Sequence, residues 1–151
     1  MLLTKIESDI KEAMRARDAH RLATLRLLKS AIGYAAIEKK LTLGDDASTD
    51  AAIISVIQKQ IKQRHDSIES FEKGGRPELA AKEKAELGIL ESYLPAPLSD
   101  ADLSALVVEV IASLGAKPKA DMGKVMKEVI ARAAGRAEGK RVSAAVASKL
   151  T

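Results

Sequence analysis

Cysteine is absent from the chain, which excludes disulfides, thiolate metal sites and a cysteine nucleophile. Tryptophan is absent as well, and aromatics are 2 % of the residues, represented by Tyr34, Phe71 and Tyr93. So few rings leave no platform for stacking nucleic-acid bases, and they are fewer than a sheet protein would want. No apolar run approaches the ~18 residues of a membrane span. The first residues, Met1-Leu2-Leu3-Thr4-Lys5, have neither the basic n-region nor the long apolar h-region of a signal peptide. The expected location is the cytoplasm.

What is present is Ala, Leu, Ile and Val at helical spacing, within a 46 % hydrophobic and 30 % charged composition. That combination predicts an all-α protein. The stretch Tyr93-Leu94-Pro95-Ala96-Pro97-Leu98-Ser99 divides it. Neither proline has an N–H, and each pushes the residue before it out of the α region. Ser99 then offers an N-cap with Asp102 at N3, and Leu98 and Leu103 stand where a hydrophobic staple places them. The expected organisation is an N-terminal bundle of about four helices over residues 1–94, a Pro-containing hinge at 95–98 and a small three-helix domain over 99–151.

Along the chain, Thr4 to Glu7 reads as a capping box opening a helix to about Arg17, with Ile6, Ile10, Ala13 and Met14 inward. Asp18 caps a second helix, buried through Leu22, Leu25, Leu28, Ile32 and Ala35 or Ala36. A third runs from about Thr49 to Lys73 through Ile53, Val56, Ile57, Ile61, Arg64, Ile68 and Phe71. Gly74-Gly75 ends it, and Pro77 suits the first turn of a fourth helix carrying Leu79, Ala80, Glu83, Leu87, Leu90 and Tyr93. After the prolines, 100–114 reads as a helix with Leu103, Leu106, Val107, Val110, Ile111 and Leu114 inward and Gly115 as its stop. Asp121 caps a helix to about Arg132, with Met122, Val125, Met126, Val129 and Ile130 inward. Residues 135–141 form a glycine-punctuated basic loop before a last helix marked by Val142, Val146 and Leu150.

Catalytic constellations are poor. His20 and His65 stand on different helices without a second ligand at i+4. Glu83, Glu86 and Glu91 with Lys82 and Lys84 read as surface ion pairs, and Ser67 and Ser70 have no recognisable base. Gly135 to Lys140 is one residue short of a phosphate-loop spacing, and Arg141 stands where Ser or Thr belongs. No metal or cofactor is expected. Charge is more informative: residues 117–151 hold nine Lys/Arg against three Asp/Glu, a basic block suited to a polyanion or simply a solubilising surface. Within it, Gly123 lies in a first helical turn flanked by Lys119 and Lys124. This is either a phosphate seat on free backbone N–H groups or a glycine that allows tight helix packing.

The run Asp121-Met122-Gly123-Lys124-Val125-Met126, followed by Gly135-Arg136-Ala137-Glu138-Gly139-Lys140, resembles the C-terminal tail of the GatB subunit of tRNA-dependent amidotransferases. Leu25-Arg26-Leu27-Leu28-Lys29, residues 63–68, Gly75-Arg76, Tyr93-Leu94-Pro95 and Leu98-Ser99 extend the resemblance to the free-standing YqeY proteins, so that it spans essentially the whole chain. It implies a two-part all-α fold and a tail that helps hold tRNA, while amidation chemistry belongs to a separate catalytic domain that nothing in this chain resembles.

Three functions follow as expectations. The first is a non-catalytic accessory module binding tRNA by phosphate and shape, in connection with tRNA-dependent amidation or aminoacylation. Its phosphate contacts would come from Lys117, Lys119, Gly123, Lys124, Lys127, Arg132, Arg136, Lys140 and Arg141. The second is a helical adaptor docking on a synthetase or amidotransferase through the N-terminal bundle. The third, implied by the family label alone, is a carbon–nitrogen ligase with glutamine as amido donor.

Overall fold

The computed structural model describes residues 1–115 and 120–149. Among these the chain is all-helical, with α1 (Leu2–Arg15), α2 (Ala19–Glu38), α3 (Ala47–Lys73), α4 (Pro77–Glu91), α5 (Asp100–Leu114), α6 (Met122–Ala133) and α7 (Gly139–Lys149). It divides into two compact units, Met1–Leu94 and Pro95–Thr151.

In the first unit, the apolar faces of α1 to α4 close over one core. Ile6, Leu25, Leu28, Ile53, Ile57 and Leu90 lose all solvent contact there, and Ile32 nearly all. Each such side chain stabilises the fold by about 1.5–3 kcal/mol. Asp18 caps α2 by accepting from the Arg21 N–H, and Asp46 caps α3 by accepting from the Thr49 N–H. Buried Thr49 in turn accepts the Gly44 N–H at 2.9 Å, which folds the preceding loop onto the helix. Pro77 sits in the first turn of α4, where its missing N–H costs nothing. The α3–α4 pair is a hairpin: Lys84 reaches Glu72 at 2.6 Å, and Arg64, further from the turn, reaches Glu86 at 3.0 Å.

The end of α4 is held by a polar knot. The Tyr93 hydroxyl donates to Asp9 Oδ2 at 2.6 Å, Arg21 lies 3.9 Å from the same carboxylate, and the Lys5 ammonium sits 5.4 Å from the ring centroid. Burial, and then the hydrogen bond to Asp9, push the phenol well above its ordinary pKa. It therefore stays a donor throughout the physiological range.

In the second unit, α5, α6 and α7 enclose Leu103, Val107, Val110, Val125, Val129, Val142 and Val146. Ser99 caps α5 through the Asp102 N–H, and Gly115 ends it in the left-handed region at φ +59°. Leu98 joins this core beside Leu103, as a staple requires.

Several local expectations are corrected. Thr4 does not open α1: the helix begins at Leu2, whose N–H donates to Asp50 Oδ1 at 3.1 Å, so a residue 48 positions away replaces the local cap. Met14, Leu114 and Ile130, expected inward, are 51 %, 46 % and 43 % exposed. Each lies at the margin of a stripe whose centre is already filled by neighbours. Gly139, Lys140 and Arg141 belong to α7 and not to a loop. Leu150 lies outside the described residues.

Candidate nucleic-acid interface

Among the described residues, the basic side chains of the second unit come from α6, α7 and the segment joining them. Of the nine residues expected to contact RNA, Lys117 and Lys119 lie outside the described residues. The other seven fall into two groups by what holds them.

Arg132, Arg136 and Arg141 are engaged by the protein itself. Arg132 Nε donates to Glu128 at 2.9 Å, and its Nη1 lies 3.5 Å from Glu109. The pairing ties α6 to α5. Arg136 Nε donates to the Ala96 carbonyl at 2.8 Å, and the Leu98 N–H returns a bond to the Arg136 carbonyl at 2.7 Å. Arg141 Nη2 donates to the Leu98 carbonyl at 2.7 Å and to Asp100 at 3.0 Å. The two prolines keep residues 95–98 out of a helix, so the carbonyls there have no helical N–H to accept from. The two guanidiniums donate to the Ala96 and Leu98 carbonyls and hold the segment against the rest of the second unit. A shallow depression lined by Asp100, Leu103, Ser104, Arg141, Ala144 and Ala145 adjoins this contact.

Lys124, Lys127 and Lys140 are solvent-exposed. Lys124 is only loosely associated with Asp121, at 3.9 Å with its side chain 80 % exposed. Lys127 and Lys140 make no ion pair among the described residues. Gly123 lies between, at the second position of α6. A Cβ built there would meet nothing within 4 Å, so close helix packing is not what the glycine serves. Asp121 precedes the helix without accepting a cap hydrogen bond from its first turn. An exposed first turn, a glycine that bares its backbone and two lysines one turn apart thus occupy one face. An anion approaching that face meets N–H groups and positive charge together.

One charged cluster was not expected as such. Glu83 and Glu86 are not exposed surface pairs with Lys82 and Lys84; they converge on Arg64 of α3, with Nε 3.2 Å from Glu83 and 3.0 Å from Glu86. The approach is not aligned for a hydrogen bond from Nε. Burial is therefore incompletely compensated at Glu83, and together with repulsion from Glu86 it raises the carboxyl pKa, against the pull of Arg64. A spacing argument places 83 and 86 on one helical face but cannot bring Arg64 to them. That takes the hairpin.

The match with known proteins covers the whole architecture. The family described as Yqey-like protein matches residues 3–150. The chain belongs to this YqeY-like family. A relative from Pyrenophora tritici-repentis named altered inheritance of mitochondria protein 41, mitochondrial, is 33 % identical over 140 residues, covering 91 % of this chain and 74 % of the relative. The protein of the same name from Kluyveromyces lactis is 35 % identical over 114 residues, covering 74 % and 60 %. An uncharacterized protein, C22F3.15, from Schizosaccharomyces pombe is 32 % identical over 90 residues, covering 60 % and 69 %. The chain spans 74 %, 60 % and 69 % of these three relatives' own lengths, and about half the length of other relatives with the same mitochondrial name. Among the described residues no helix is long and apolar enough to cross a membrane.

Proposed function

We propose that this YqeY-like chain is a non-catalytic accessory module that binds tRNA through phosphate contacts made by its C-terminal unit. The observation that carries the reading is the exposed face at the start of α6, where Gly123, Lys124 and Lys127 present bare backbone and two cations, set within a block of nine basic against three acidic residues. Lys140 adds a third exposed cation at the start of α7, and Lys117 and Lys119 belong to the same block. Arg132, Arg136 and Arg141 support the face by fixing α5 and residues 96–98, so the contacts fall mainly to lysines. Lysine is a point charge that reads neither base nor bidentate geometry, which suits recognition by charge and shape. The cellular setting is the cytoplasm, and the partners beside tRNA are a synthetase or amidotransferase that acts on it.

The test is fluorescence anisotropy of labelled bulk tRNA titrated with the full chain and with Lys124→Glu/Lys127→Glu. Both positions are exposed, so the variant keeps its melting temperature. Affinity is expected to fall at least about tenfold, with a salt slope shallower by about 2. Unchanged affinity would remove this face from the interface.

A further inference from the structure

α2 is apolar on two sides, and only one of them is used by the core. Its inner side supplies Leu25, Leu28, Ile32 and Ala36. On the outer side, Ala23, Leu27, Ser30, Tyr34 and Ile37 are all exposed. They follow one another at spacings of four, three, four and three, the alternation that makes a straight seam on a helix. Leu27, Tyr34 and Ile37 are 58 %, 75 % and 77 % exposed, the last two more than any other large apolar residue described. Single exposed apolar residues need no explanation, but three on one seam of a 20-residue helix do. Such a seam, about 21 Å from Ala23 to Ile37, is long enough to seat about four turns of a second helix.

Charge decides which helix. One flank of the seam carries Arg26 and Lys29, with Lys40 just past the helix end; the other carries Glu38. Lys29 is partly committed to Glu7 at 3.5 Å, whereas Arg26 and Lys40 make no ion pair among the described residues. An antiparallel second copy would stack Leu27 on Ile37 and Ser30 on Tyr34. It would also bring like flanks together, setting Arg26 toward Lys40 of the other copy. A parallel copy would place Arg26 opposite Ala31 and Gly33 opposite Glu38, which pairs no charges. Neither orientation of a self-pair is complementary, and the antiparallel one is repulsive.

We infer that the outer face of α2 is a docking seam for an amphipathic helix of another protein, with acidic residues along one side of its own apolar stripe. This site lies in the first unit and is independent of the tRNA-binding face proposed on the second. The partner helix would lay its apolar residues against Leu27, Tyr34 and Ile37 and its carboxylates along Arg26 and Lys40.

The experiment titrates the full chain into two labelled designed helices, each about three heptads long with leucines at alternating three–four spacing. One carries glutamates on the flank that meets Arg26 and Lys40, the other carries lysines there, and the opposite flank of both is uncharged. The expected result is micromolar binding of the glutamate helix and binding of the lysine helix weaker by at least about tenfold. Leu27→Glu should abolish the binding, and Arg26→Glu should erase the preference. Leu27 is exposed, so its substitution leaves the melting temperature unchanged, and tRNA affinity is expected to stay at the wild-type value. Four results would each overturn the proposal: neither helix binding; both binding equally; sedimentation as a dimer that Leu27→Glu dissociates, which gives the seam to a second copy; or loss of tRNA affinity in Leu27→Glu, which gives it to RNA.

Discussion

At the scale of single residues, long-range polar contacts decide what each charge does. Arg136 and Arg141 bond carbonyls 40 and 43 positions away, so composition counts them as free cations while geometry spends them on residues 96–98. The Arg64–Glu83–Glu86 cluster carries the same lesson with a pH signature. Because burial holds the Glu83 carboxyl above its ordinary value, the folded state retains a proton that the unfolded chain releases. The unfolded chain ionises from about pH 4.3 upward. Stability from this group is therefore greatest below that value and declines as pH rises through the raised pKa. Glu83→Gln removes the penalty and leaves Arg64 with Glu86. Thermal melts should show the variant slightly more stable than wild type at pH 7, with the difference vanishing near pH 4. A variant less stable at pH 7 than at pH 4, relative to wild type, would show that Glu83 is held by its ion pair more than it is opposed by burial.

At the scale of elements, the sequence was legible wherever the signals were local. The span of α5 is readable end to end, because Ser99 and Gly115 flank it and each acts within a few residues. Asp18 and Pro77 are equally local. The start of α1 was not legible, since the acceptor for Leu2 comes from Asp50 on another helix. The outer seam of α2 escaped as well. Periodicity finds the stripe containing Leu25 and Ile32, and a second apolar stripe beside it only makes the helix look more buried. Gly123 is the instructive intermediate case: its position in a first turn was readable, but only the space around it tells packing from access. Gly123→Ala fills open space and improves helix propensity. It should raise stability by up to about 1 kcal/mol, while weakening tRNA binding by hindering approach to the α6 backbone. Chemical denaturation and anisotropy on the same variant check both halves. A loss of stability would return the glycine to a packing role.

At the scale of the whole molecule, the fold class followed from composition and periodicity, and membership of the YqeY-like family agrees with it across residues 3–150. The interface was less legible, because net charge over a block says how many cations exist and not how many face outward. Of the seven described candidates, the three arginines are engaged internally, while Lys124, Lys127 and Lys140 remain on the surface with Gly123 between the first two and the helix start. Three exposed lysines, with Lys117 and Lys119 from the same block, correspond to about three to five neutralised phosphates. The most direct measurement is the affinity of the full chain for bulk tRNA across a series of salt concentrations. The account predicts that log K falls linearly with log salt at a slope of about −2 to −4. A slope near zero, or no binding at low salt, would contradict an electrostatic tRNA interface on this protein.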